Sequence, residues 1–196
     1  MLRLLLVISV SSLLGCQATS TEMLLDPAVG AEVAAEGDQS VIPLNEVKPS
    51  QSGSVSQTVA DTQITVTYDR PVARGRELFG GIVPYGKVWN PGANDATVIT
   101  VSRAVTINGN RLAAGKYSIW AIPGESEWTV ILSRAAEVFH EPYPGEEHDA
   151  LRVTVVPTVG DYIETLAFYF PVVEKKDTEL RLHWGDTIVP FAITVP

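Results

Sequence analysis

The chain has 196 residues, 45% of them hydrophobic, with 14 basic against 23 acidic residues, a formal net charge of −9 and a single cysteine. That length suits one domain with appendages. The acidic balance argues against nucleic acid as a partner and against attachment to anionic lipid through basic residues, and a lone cysteine excludes an internal disulfide.

The N-terminus, MLRLLLVISVSSLLGC, carries one basic residue, Arg3, then an apolar and hydroxyl run over residues 4–14. The run is too short for a spanning helix, and charge, apolar core and small residue in that order make a secretory signal over residues 1–15. Leu13-Leu14-Gly15-Cys16 resembles a bacterial lipobox, which makes Cys16 the lipidated first residue of the mature chain and ties it to a membrane by acyl chains. Gln17 stands where aspartate would mark inner-membrane retention, so the expectation is a cell-envelope protein on the outer membrane. Residues 16–52 follow without a single Phe, Trp or Tyr. Such a segment buries too little apolar surface to offset its ordering entropy and reads as a disordered tether, which at roughly 3.3 Å per residue reaches on the order of 100 Å when extended.

From residue 53 to residue 196 the pattern is that of strands. Ile64, Val66 and Tyr68 alternate with Thr65 and Thr67, and Ile99 and Val101 with Thr100 and Ser102. The same period of two runs through Trp128, Val130 and Leu132, then Leu151, Val153 and Val155, then Leu166, Phe168 and Phe170, then Leu180, Leu182 and Trp184, and finally Val189, Phe191, Ile193 and Val195. Asn108-Gly109, Pro123-Gly124, Val159-Gly160-Asp161 and Gly185-Asp186 are read as the turns between them. The fold class is therefore all-β, an antiparallel β-sandwich of eight or nine strands, immunoglobulin-like or jelly-roll-like.

Gly81-Ile82-Val83-Pro84-Tyr85-Gly86-Lys87-Val88 fits G-x-x-x-x-G-K, but Pro84 removes an N–H, Val88 cannot hold magnesium, and Asn90-Pro91-Gly92 stops any following helix. A nucleotide loop is thus rejected. His140 and His148 flank a polar loop with Glu141, Glu146 and Glu147, a weak candidate for a metal, whereas His183, in register with Glu179 and Arg181, is expected to point to solvent. No G-x-S-x-G elbow or other nucleophile setting is present, and no cofactor is expected.

The densest cluster of chemistry is the connection between the strands at Tyr68 and Val98. It holds Arg70, Arg74 and Arg76, the aromatics Phe79, Tyr85 and Trp89, and then Asn94 and Asp95. Connections this long either carry function or pack locally. As a binding site, the arginines would contact anions or hydroxyls, Tyr85 and Trp89 would stack on a ligand, and Asn94 and Asp95 would orient it. As a cap, the aromatics would plug one end of the sandwich and the arginines would pair with acids such as Asp69, Glu77 and Asp95.

This segment, Y-x-R-P-x-x-x-G-R-x-x-F-G-G-x-V-P-Y-G-x-V-W-x-x-G-A-N-x-A-T, together with V-T-I-N-G-x-x-L-x-A-G-x-Y-S-I and I-P-G-x-x-E-W-T-V-I downstream, resembles the bacterial family known as domain of unknown function 2911, over nearly the whole stretch from Ser54 to Val195. The resemblance implies a secreted or lipid-anchored β-rich protein and no particular activity. Family members often carry a Trp-Gly-x-Tyr-like stretch after the E-W-T-V strand; here Phe139-His140-Glu141-Pro142-Tyr143 stands instead. Three functions remain open at this level: binding of a small or glycan-like ligand or an envelope partner through residues 70–95, an envelope hydrolase using carboxylates or a metal in the 140–148 loop, and a structural or assembly role.

Overall fold

A computed structural model describes residues 49–196; the leader, Cys16 and the tether up to Lys48 lie outside the described residues. The domain is all-β, with ten strands rather than eight or nine: β1 (Gln51–Val59), β2 (Thr62–Arg70), β3 (Val98–Val101), β4 (Val105–Ile107), β5 (Asn110–Leu112), β6 (Gly115–Ile122), β7 (Trp128–Ser133), β8 (Asp149–Val155), β9 (Thr158–Glu174) and β10 (Asp177–Thr194). They form two antiparallel sheets, β1-β2-β3-β6-β7-β8 and β5-β4-β10-β9. β1 takes up Gln51 and Ser52, two residues read from the sequence as tether.

The alternating residues face one core. Ile64, Val66 and Tyr68 of β2, Trp128, Val130 and Leu132 of β7, Leu166 and Phe168 of β9, and Leu180, Leu182, Trp184, Val189, Phe191 and Ile193 of β10 are all buried in it. The inward parity of β10 switches from even to odd numbers at Gly185, whose φ of 61° sits beside register shifts against β9. Across those shifts β9 carries the additional residues, Ile163 to Ala167 lying opposite Gly185 to His183, as in a β-bulge, and the positive φ of Gly185 accompanies the turnover of β10. Gly185-Asp186 and Val159-Gly160-Asp161, expected as turns, therefore lie inside two long strands that bend without ending. Asn108 and Gly109, by contrast, have φ of 46° and 79° and make the tight turn between β4 and β5.

His183 departs from expectation. Its side chain leaves the outward face of β10, as the parity requires, yet the residue is only 7% exposed, and its Nε2 is buried without a hydrogen-bond partner. Tyr169 lies across its ring at 6.1 Å, and a Cβ added at Gly160 would stand 3.6 Å from its Cε1, so the bent β9–β10 arm covers it.

A second, smaller core lies on the outer face of the six-stranded sheet. Trp120 and Ile131, which point away from the main core, are fully buried with Ala96 beneath Val138 and Tyr143. Residues 134–148, between β7 and β8, thus form a flap held on that face by apolar burial.

Candidate functional site

The connection from Arg70 to Val98 begins as a seam between the sheets. Beyond β2 the chain runs along the free edge of β9: Leu166 N–H donates to Pro71 O at 3.0 Å and Ala73 N–H to Glu164 O at 2.7 Å. The arginines serve this seam. Arg70 Nε donates to Leu166 O at 3.2 Å, and Arg76 donates to Ala73 O at 2.8 Å and Val72 O at 2.7 Å. Arg74 takes a φ of 54°, with its backbone N–H on a Glu164 carboxylate oxygen at 2.9 Å. The guanidinium groups of Arg70 and Arg76 thus meet main-chain carbonyls, neither the local acids nor a ligand cleft, and they cover a strand edge that would otherwise be open to pairing.

The glycine-rich run follows as a compact loop. Gly80 N–H donates to Val83 O, Ile82 N–H to Glu77 O, Val83 N–H to Leu78 O and Gly86 N–H to Pro123 O. With these amides consumed locally, the loop has no cradle for a phosphate. Trp89 is pinned by reciprocal 2.8 Å hydrogen bonds with Ala121. Its ring stacks on Trp184 at 6.0 Å and 11°, with Phe79 and Trp128 packed edge-on, closing one end of the core. Tyr85 is 43% exposed and lines a small hollow of about 170 Å³ with Phe79, Trp128 and Val159. The two aromatics therefore do not face each other across one site.

Asn94 and Asp95 hold the flap. Ala96 N–H donates to Val138 O and His140 N–H to Asn94 O, both at 2.9 Å, and Asp95 pairs with Phe139, which makes a short antiparallel ladder. Asn94 has a φ of 56°, which asparagine tolerates better than most residues. Its Nδ2 donates to Asp69 Oδ2 at 2.6 Å, and Ser52 Oγ donates to Asp69 Oδ1 at 2.6 Å, so the buried carboxylate has partners on both oxygens. Asn94 O lies 2.7 Å from His140 Nδ1. A carbonyl oxygen only accepts, so Nδ1 carries the proton, and in the neutral ring the lone pair is on Nε2. Nε2 makes no hydrogen bond to the described residues.

His140 lines a cleft of about 510 Å³ between residues 82–90 and 140–143, within the range usual for small-molecule sites. Ile82, Pro84 and Val88 form one wall, Glu141, Pro142 and Tyr143 the other, and Lys87, Trp89 and Asn90 also border it. Asn90, read in the sequence only as the start of a helix-stopping Asn-Pro-Gly, is fully buried and braces the loop: its Nδ2 donates to Ile119 O at 2.8 Å and its Oδ1 accepts from Thr97 N–H at 3.2 Å. Tyr143 packs on Trp120 at 5.3 Å, donates to Asp149 and accepts from Arg152 at 3.2 Å. Burial, and then the hydrogen bond to Asp149, push its hydroxyl up to about 12, so it stays a donor at physiological pH. The Arg152 guanidinium, also 2.6 Å from Asp149 Oδ2, is held charged by that hydrogen bond first of all.

Of the residues singled out in the sequence, the cleft gathers Trp89, His140 and Glu141, with Asn94 behind His140. Arg70, Arg74, Arg76 and Tyr85 lie elsewhere, and Asp95 lines a neighbouring groove. His148 faces Glu147 at 3.9 Å, and among the described residues no group of three or more His, Cys, Asp or Glu comes together that could hold a metal ion.

No curated protein and no solved structure matches the chain. A family model described as "Protein of unknown function (DUF2911)" matches residues 50–193, and the chain belongs to that family.

Proposed function

We propose that this DUF2911 chain is a lipid-anchored cell-envelope protein that binds a small, glycan-like ligand in the cleft between residues 82–90 and 140–143. The observation that carries the reading is His140: its Nδ1 is committed to a backbone carbonyl, and its Nε2 has no partner in a cleft with one apolar wall and a mixed polar rim. An oriented acceptor of this kind recognises a hydroxyl or amide N–H, while Ile82, Pro84 and Val88 supply apolar contact for a sugar ring. The signal-like leader and Cys16 support the envelope location, since a single acylated cysteine ahead of a tether presents a soluble domain from a membrane surface.

Calorimetric titration of the full chain with neutral oligosaccharides tests the binding. Saturable binding that falls tenfold or more in His140→Ala, with an unchanged melting temperature, supports the assignment; binding that is equal in both proteins removes it. Cys16→Ala should release the protein from the membrane fraction and abolish acyl labelling, and an unlabelled wild-type chain would overturn the anchor.

The same oriented imidazole favours one second reading, an envelope hydrolase with His140 as general base. Release of reducing ends from an oligosaccharide by the wild type and not by His140→Ala would establish it, and binding without turnover would exclude it.

A further inference from the structure

The flap has a hollow on its other side as well. A shallow groove runs over the outer face of β1 and β2 in two contiguous parts of about 410 and 440 Å³, which share Thr67, Asp95 and Ala96. Its floor is made of side chains, Ser52, Ser54, Thr67 and Asp69, because β1 and β2 are paired residue by residue from Gln51↔Arg70 to Val59↔Thr62. Its far wall is the flap itself, ending at Phe139, which is 56% exposed.

Phe139 and His140 together form the crest between groove and cleft. Their rings are 4.4 Å apart and tilted by 51°, with Phe139 lining the groove and His140 lining the cleft. The crest is held from below by the ladder to residues 94–96, so the two hollows lie on either side of a hydrogen-bonded ridge.

Resting on the binding function proposed above, we infer that the ligand is a linear, neutral glycan that straddles the Phe139–His140 ridge, with one sugar in the cleft and further sugars in the groove. An exposed aromatic face is a platform for the C–H face of a sugar, and hydroxyl and carboxylate side chains beside it accept from sugar hydroxyls. Recognition of an extended peptide by strand addition runs along a strand edge, whereas the floor here is a sheet face presenting the side chains of Ser52, Ser54, Thr67 and Asp69. Asp69, Asp95 and Glu137 along the groove repel polyanions, a penalty that an uncharged chain escapes. Occupation of two joined subsites makes the second contact intramolecular, so an oligomer gains affinity over its own monomer.

The test is an NMR titration of the full chain with monomers and hexamers of N-acetylglucosamine, glucose in β-1,4 linkage and glucose in α-1,4 linkage. Support consists of one hexamer that shifts the amides of Thr67 and Ala96 together with those of Lys87 and Val88 and binds at least tenfold more tightly than its monomer. Phe139→Ala, at an exposed site, should reduce that ratio to near one, and Asp95→Asn should reduce it by severalfold. A hexamer that shifts only the cleft amides and binds like its monomer overturns the two-subsite inference and leaves the cleft as the site. Shifts in the groove alone, or none with any sugar, overturn the cleft reading as well.

Discussion

Asn94 joins the fold to the site through two separable groups, so its substitution tests the geometry directly. In Asn94→Gly the backbone keeps its φ of 56° and its carbonyl still accepts from His140, but the hydrogen bond to the buried Asp69 carboxylate is gone. A hydrogen bond to a charged group contributes about 1.5–3 kcal/mol, and Asp69 keeps only Ser52 on its other oxygen. The relief of a positive φ by glycine roughly offsets its added unfolded-state entropy, so about 2 kcal/mol should be lost. Asn94→Ala loses the same bond and also forces a Cβ-bearing residue without a side-chain amide into the left-handed region, which costs about 1 kcal/mol more. For a domain of this size each kcal/mol moves the melting midpoint by about 2–4 °C, so calorimetry should place Asn94→Gly about 4–8 °C below wild type and Asn94→Ala lower again. Ligand binding should survive in Asn94→Gly, because the carbonyl that orients His140 remains. Equal melting of the wild type and Asn94→Gly would show that the Asp69–Asn94 bond contributes nothing, and an alanine variant no worse than glycine would refute the backbone argument.

Two further outcomes concern buried polar groups. His183→Leu removes an imidazole with a buried, unpartnered nitrogen and keeps an apolar body under the β9–β10 arm, so urea unfolding should show a gain of about 1 kcal/mol; a loss would mean that an ordered water serves Nε2. Tyr143 titrates high, with its hydroxyl raised from 10.0 to about 12, which favours the protonated form in the fold. Its contribution to stability is therefore complete below pH 10 and fades as pH rises through about 12. Tyrosinate absorbance should show late titration by Tyr143 and, beside Glu164, by Tyr162 among the six tyrosines, with only the Tyr143 component moving earlier in Asp149→Asn; an unchanged titration in that variant would refute the role of Asp149.

The strands were legible because burial on one face of a sheet writes a period of two into the residues themselves. The positions read as inward in β2, β7, β9 and β10 are the ones that form the core. Gly160 and Gly185 misled for an equally local reason: a glycine before an aspartate permits a turn and a bulge alike, and the choice depends on whether the partner strand continues opposite. The long connection stood out by its length and composition, but the partners of Arg70 and Arg76 are carbonyls of the same seam, and a carbonyl leaves no trace in residue identity.

Local chemistry alone thus decided the class of the domain, the parity of its core, the Asn108-Gly109 turn and the expectation of an anchor at Cys16, since each depends on residues near one another in the chain. The site required the third dimension. His140 meets Asn94 across 46 residues, and Tyr68 meets the backbone of Phe168 across 100. The flap covers Trp120 and Ile131 because those side chains leave the outer face of a sheet whose inner face is already filled. Sequence periodicity records that a residue is buried, and packing determines against what, which is why the cleft beside His140 exists only where two loops distant in the chain are folded side by side.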